Sequence, residues 1–327
     1  MFSVVLIVRD EERRLAAALA SLGEVPEVLV CDTGSRDRTL AIASANSARI
    51  VTFDWCDDFA AARTFAEGRA TYDWIVRFDA DERLVVADAG QAATWLTTSI
   101  AAAAAQGADR LFVRRRYAQH NLHWFPRCHR RTAFRWRHPV HELLEPIPPR
   151  VGLDMALNGA VVEHDRENRP RRYRLILEQA LVQNPADPHL LYYAGAQCFE
   201  EGDLAAAERW LSVYLQGPTG YRYHRSEALS MRGRCRAARS DRAGAHHDFE
   251  AAAATGPRAE PLLFAARLAL AFGDYQHARA LAHRGRAMPL PCEKQPFGDY
   301  DHPYLLDRSA YEPLVWDEVL RACADAR

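Results

Sequence analysis

Asp79 and Asp81 stand one residue apart in Asp73-Trp-Ile-Val-Arg-Phe-Asp-Ala-Asp-Glu82, directly after the apolar run Trp74 to Phe78. Two hard carboxylate oxygens at that spacing suit a divalent cation such as Mg²⁺ or Mn²⁺, which is commonly shared with substrate phosphates. The apolar run reads as a buried strand, and ligands of open α/β sheets bind beyond the carboxyl ends of their strands. An Asp-x-Asp pair is weak evidence alone, because an acidic turn at a strand end looks the same. Its weight depends on what else the chain brings to that edge.

The preceding segments supply the setting. Phe2 to Val8 predicts an apolar strand, and Asp10-Glu-Glu-Arg-Arg-Leu then opens a helix with Leu15, Leu19 and Leu22 on one face and acids in its positive first turn. Val25 to Cys31 predicts a second strand, ending at Asp32-Thr-Gly-Ser-Arg-Asp37. There Gly34 permits a tight turn and Ser35 or Asp37 can cap the next helix. Arg49 to Phe53 predicts a third strand, and Asp57-Asp58-Phe59 starts a helix that carries Arg63. Strands alternating with helices imply a mostly parallel sheet, which puts Asp32 and Asp79 on one edge. A nucleotide diphosphate can lie across such an edge.

Four segments in this order resemble family 2 glycosyltransferases of the GT-A fold: Val-Arg-Asp-Glu-Glu (8–12), Cys-Asp-Thr-Gly-Ser-Arg-Asp-Arg-Thr (31–39), Asp-Trp-Cys-Asp-Asp-Phe-Ala-Ala-Ala-Arg (54–63) and the acidic motif 73–82. The narrower resemblance is to the branch with C-terminal tetratricopeptide-like helices, which includes the S-glycosyltransferases of glycopeptide bacteriocins. It implies an α/β GT-A domain, Rossmann-like and mostly parallel, over residues 1–166, followed by an all-α helical-repeat domain over 167–327. It also implies a nucleotide-sugar donor, most simply a UDP-sugar, with Mn²⁺ or Mg²⁺ held by Asp79 and Asp81. In GT-A enzymes a late His can complete the metal or pyrophosphate site, and His164 falls there. The chain continues His-Asp-Arg-Glu where relatives usually read His-Tyr-Gly-Tyr, and Thr64 replaces the usual Asn after Arg63.

The remaining roles follow from that resemblance. Asp32 would face the base or ribose, Arg63 would brace phosphates or sugar, and Arg127 and Arg130 lie in an arginine-rich run that can hold phosphate bidentately. Family members generally invert the anomeric centre in one displacement, which calls for a base to deprotonate the acceptor. Glu142, His141 and Asp58 are the candidates, in that order. A cysteine acceptor needs a base less, since a thiol is partly ionised near neutral pH.

Composition sets outer bounds. A net charge of −1 over 327 residues implies no bulk attraction to nucleic acid or to an anionic membrane. Nine arginines between 110 and 137, interleaved with aromatics, allow an RNA-binding reading, which the near-neutral total argues against. Seven cysteines without a C-x-x-C pair fit a reduced, cytoplasmic setting, and no run approaches the ~20 apolar residues of a membrane span. Histidines 120, 123, 129, 138 and 141 with Cys128 match no common zinc spacing. Arg110 to Tyr117 predicts a strand, with segments 124–131 and 134–140 as a following hairpin.

After about residue 165 the pattern turns helical. Gly202-Asp203, Ser240-Asp241 and Gly273-Asp274 recur 38 and 33 residues apart, bracketing the ~34-residue tetratricopeptide period, and prolines 185, 218, 257 and 289 close the units. Such helix pairs bury their apolar faces only by stacking. They predict a concave peptide-binding or dimerising surface, or a plain buttress for the catalytic domain. The aromatic tail, 297–304 and 311–316, is expected to cap the last repeat. The leading expectation is a metal-dependent transferase acting on a peptide or protein acceptor, with a homodimer allowed. Its rivals are a glycan, lipid or small-molecule acceptor, and a non-catalytic repeat adaptor with a degenerate transferase domain.

Overall fold

The computed structural model describes residues 1–87, 91–117, 121–165, 173–217, 222–256, 258–288 and 308–325. These fall into two compact units, one ending at Asp165 and the other beginning at Tyr173.

The first unit contains β1 (Phe2–Val8), α1 (Leu15–Leu22), β2 (Val28–Asp32), α2 (Thr39–Ala45), β3 (Arg49–Thr52), α3 (Phe59–Glu67), β4 (Trp74–Phe78), β5 (Glu82–Val86), α4 (Ala92–Ala105), β6 (Ala108–Tyr117), β7 (Asn121–Arg130), β8 (Phe134–Arg137), β9 (Leu143–Pro146) and β10 (Leu153–His164). Eight strands form one sheet in the order β3-β2-β1-β4-β7-β6-β10-β5, and β8 pairs with β9 separately. Pairings β1–β2, β1–β4, β2–β3 and β6–β10 are parallel. β7 runs antiparallel between β4 and β6.

The apolar run of β1 is continuous because both sheet faces are covered. Leu15, Leu19 and Leu22 of α1 and Leu96 and Ile100 of α4 pack on one face, while Ala66 of α3 packs with Val5, Leu29 and Ile75 on the other. The order reverses at β1, since β2 and β3 lie to one side and β4 to the other. Such a switch point opens a crevice at the carboxyl ends of the strands. Register places Asp32 beside Val8 and Phe78 beside Leu6, so Asp32 and Asp79 both reach that end, on the two strands flanking β1.

Three local expectations are corrected. α1 starts at Leu15, so the acids at 10–12 form a loop and its first turn holds none. Neither Ser35 nor Asp37 is the N-cap of α2; Arg38 occupies that position, one residue before Thr39. The 124–131 segment does not hairpin with the one that follows: β7 enters the main sheet and β8 pairs with β9. Pairings between strands distant in sequence override the nearest turn.

The second unit contains α5 (Tyr173–Gln183), α6 (Pro188–Glu200), α7 (Leu204–Gln216), α8 (Arg222–Ala238), α9 (Arg242–Thr255), α10 (Glu260–Ala271), α11 (Tyr275–Arg286), a 3₁₀ turn (Arg308–Tyr311) and α12 (Pro313–Asp325). Pairs α6/α7, α8/α9 and α10/α11 share one junction. Gly202, Ser240 and Gly273 adopt left-handed φ of 81°, 65° and 74°. The following Asp N–H bonds the carbonyl five residues back (Cys198, Arg236 or Ala269), which closes a Schellman turn. That same Asp caps the next helix, accepting from Ala206, Gly244 or His277 at 2.9–3.0 Å. Glycine also lets paired helices touch, because a Cβ at Gly195 would lie 2.6 Å from Leu211 and one at Gly233 2.7 Å from Phe249. Trp316 of α12 is buried over Gly285 and closes the third pair. Prolines 218, 257 and 289 and the tail segment 297–304 lie outside the described residues.

Candidate active site

The rim of the crevice is made by two loops that exchange hydrogen bonds. Asp10 donates its N–H to Ser35 Oγ (3.0 Å) and accepts from the Arg36 N–H (2.7 Å). Two residues on, the Glu12 N–H donates to Asp37 (3.0 Å) and the Glu12 carboxylate accepts from the Arg38 N–H (3.2 Å). The acids expected in a helix turn instead cross-brace the β1–α1 and β2–α2 loops. Asp32 is buried and accepts the N–H groups of Gly34 and Ser35 at 3.1 Å, so its carboxylate shapes the turn after β2.

Beyond β4, Asp79 meets two guanidiniums. Arg63 of α3 lies 3.3 Å from its Oδ1 and Arg77 lies 3.4 Å from its Oδ2. Glu142, in the turn between β8 and β9, binds Arg63 at 2.5 Å and stands 3.6 Å from Arg77. The turn is held in place by Phe59, whose N–H donates to the Pro139 carbonyl (2.8 Å). His138 and His141 take left-handed φ of 69° and 53°, a strain seldom carried by non-glycine residues away from functional sites. Trp136 lies over the Arg63 guanidinium at 5.2 Å and donates its indole N–H to Glu67.

A second cluster sits beneath. Glu82 is fully buried and receives Arg127 through two nitrogens (2.6 and 3.0 Å), Arg115 at 3.1 Å and the N–H of Asp79 at 3.0 Å. Burial alone would raise the carboxyl pKa values, but these arginines reverse that. Arg77 and Arg63 hold Asp79 far below the ordinary carboxylate range, Arg127 and Arg115 hold Glu82 below it, and Arg63 and Arg77 hold Glu142 below it. The clustered acids are therefore ionised, and Glu142 keeps little proton affinity for work as a base.

Asp81 is placed differently. Its Oδ2 lies 3.3 Å from His164 Nε2, and its carbonyl accepts the Asp165 N–H at 2.8 Å. Pairing of β5 with β10, which sets His164 opposite Glu82, delivers the imidazole to the acid. A carboxylate oxygen and an imidazole nitrogen side by side, with Asp81 29% exposed, form a donor set that Mn²⁺ accepts.

Several expected site residues are committed elsewhere. Arg127 is held inside by Glu82 and the Arg77 carbonyl, which leaves it no phosphate to reach. Arg130 pairs with Asp73 and lies opposite Trp74, at the start of β4 and away from Asp79. Asp58 is the N-cap of α3, accepting from Ala61 at 2.8 Å. Arg77, Glu82 and Arg115 received no role from the sequence. The available signal was charge inside apolar strands, where a buried ion has to be paired.

Residues 3–147 match the family model described as Glycosyl transferase family 2. The first unit thus carries a glycosyltransferase family 2 domain. A TPR repeat-containing protein of Synechococcus elongatus is 37% identical over 65% of this chain, which spans 56% of that relative's length. An uncharacterized glycosyltransferase of Rickettsia felis is 37% identical over 25% of the chain and 29% of its own length. Among solved structures, residues 1–349 of S. aureus TarS match 86% of this chain and 87% of theirs, with 12% identity and a TM-score of 0.40. Glucosyl-3-phosphoglycerate synthase of Mycobacterium tuberculosis, crystallised with Mn²⁺ and UDP, matches 36% of this chain and 44% of its own, with 24% identity and a TM-score of 0.30.

Proposed function

We propose that the chain transfers a sugar from a nucleotide sugar, most simply a UDP-sugar, to a peptide or protein acceptor engaged by the helical repeats. The observation that carries this reading is the Asp81–His164 pair at 3.3 Å, beside an Asp79 already bound to two arginines. Asp81 and His164 would hold Mn²⁺ or Mg²⁺ through a carboxylate oxygen and an imidazole nitrogen, whereas both oxygens of Asp79 face guanidiniums. A cation bound there would neutralise the diphosphate as the glycosidic bond breaks. Arg63 and Arg77 present fixed positive charge at the same edge, and low-dielectric surroundings strengthen it. Asp32 shapes the turn that would receive the base.

Inversion at the anomeric carbon asks for proton removal from the acceptor. Glu142 and His141 stand on the strained turn beside Arg63, but Glu142 is a weak base there. That combination suits an acceptor thiol, which loses its proton readily, better than a hydroxyl. Calorimetric titration of the full chain with UDP, with and without Mn²⁺, tests the reading. Mn²⁺ is expected to tighten UDP binding, and Asp81→Ala to weaken it about 10- to 100-fold, as the loss of a metal-site partner does. UDP affinity indifferent to both metal and substitution would refute the reading and favour a non-catalytic repeat adaptor.

A further inference from the structure

The second helix pair carries His246 and Glu250 on α9, and the third carries His277 on α11. One donor atom from each lies within 4.8 Å of the others. The two imidazole Nε2 atoms are 2.7 Å apart, and His277 Nε2 is 4.0 Å from Glu250 Oε1. His246 and Glu250 share a face of α9 because they are four residues apart. His277 is positioned by the third Schellman junction, since its own N–H is the one that Asp274 caps at 3.0 Å.

We infer that His246, Glu250 and His277 form a binding site for a divalent transition metal of the zinc type, joining the second helix pair to the third. Two neutral imidazoles and a carboxylate are a three-ligand zinc set that leaves one position for water. Zinc–nitrogen bonds of about 2.0–2.1 Å put tetrahedral ligand atoms about 3.3 Å apart, so small side-chain rotations open the present trio to that geometry. His277 and Glu250 are both one-third exposed, which gives an ion an entry path. Arg284 reaches both Glu250 oxygens, Oε1 at 3.5 Å and Oε2 at 3.4 Å, and its 54% exposure lets it swing into solvent and release the carboxylate to the metal. Stability in stacked helix pairs is the sum of each pair and its interfaces with neighbours, so an ion spanning two pairs strengthens one interface directly. The site lies in the repeats and is independent of the Asp81–His164 pair.

The test uses the untagged full chain, stripped with EDTA and desalted. Zn²⁺ is titrated by calorimetry, and Co²⁺ by its visible d–d absorption. One Zn²⁺ per chain is expected at this site, lost in His246→Gln and His277→Gln and weakened at least tenfold in Glu250→Gln. Asp81→Ala should retain it, even where UDP binding fails. Zinc should also raise the melting temperature of the wild type and leave that of His277→Gln unchanged. If His246→Gln fails to fold, His277→Gln and the wild-type Co²⁺ spectrum still decide. Equal zinc stoichiometry in wild type and the histidine variants would overturn the site, as would the absence of any Co²⁺ absorption in the wild type.

Discussion

Glu82→Gln is the most searching single perturbation of the first unit. The side chain has no exposed surface and balances two buried guanidiniums, Arg127 at 2.6 and 3.0 Å and Arg115 at 3.1 Å. The amide keeps the shape but removes the charge, and its NH₂ has to face a donor. Removing one partner of a buried ion pair costs about 3–5 kcal/mol, because the remaining charge stays desolvated. Total stability is typically about 5–15 kcal/mol, so this is a large share. At about 2–4 °C per kcal/mol, the calorimetric melting temperature of the first unit should fall by about 6–20 °C. Arg127→Met should cost less, since Arg115 still accompanies Glu82. The double variant Glu82→Gln/Arg127→Met should fall short of the summed single effects by about 0.5–3 kcal/mol. A loss under about 1 kcal/mol for Glu82→Gln, or strict additivity, would refute the claim that this cluster is an electrostatically closed unit supporting Asp79.

Other consequences can be measured on the same protein. Gly233→Ala should destabilise the repeats by about 1–2 kcal/mol in urea melts, since a Cβ 2.7 Å from Phe249 costs more than the helix propensity it gains. Asp203→Ala removes the acceptor of the Ala206 N–H and should lower the urea midpoint in the same measurement. Acid should act on the first unit in a defined direction. Glu82 and Glu142 are held below the ordinary glutamate value of 4.5, so the folded state binds fewer protons than the unfolded one. Their contribution is full above that value and is lost as pH falls below it, and Glu142→Gln should flatten the acid limb of a melting-temperature profile.

Local patterning told a good deal. The apolar run Trp74 to Phe78 coincides with β4, and Leu15, Leu19 and Leu22 are the buried face of α1. Both depend on neighbours in sequence. The repeating Gly-Asp and Ser-Asp pairs were legible for the same reason, because a left-handed residue and a cap act within one turn. What escaped was set across long separations. Glu82 meets Arg127 across 45 residues, and Arg63 meets Glu142 across 79. Arg127 and Arg130 look alike in sequence, yet an antiparallel strand spreads three residues over about 10 Å, which sends one beneath Asp79 and the other to Asp73. The acids at 10–12 fit a helix dipole by composition, and only the neighbouring loop reveals that they are spent on Ser35, Arg36, Asp37 and Arg38.

The junction shared by the three helix pairs also bears on how such an array changes size. Each hinge satisfies its own backbone from residues inside the pair, so a duplicated or deleted pair would carry its connector with it. Growth by whole units is then mechanically cheap, whereas insertion of a few residues inside a hinge would unseat both helices at once. On the third pair, Trp316 of α12 takes up the apolar contact, lying over Gly285 of α11.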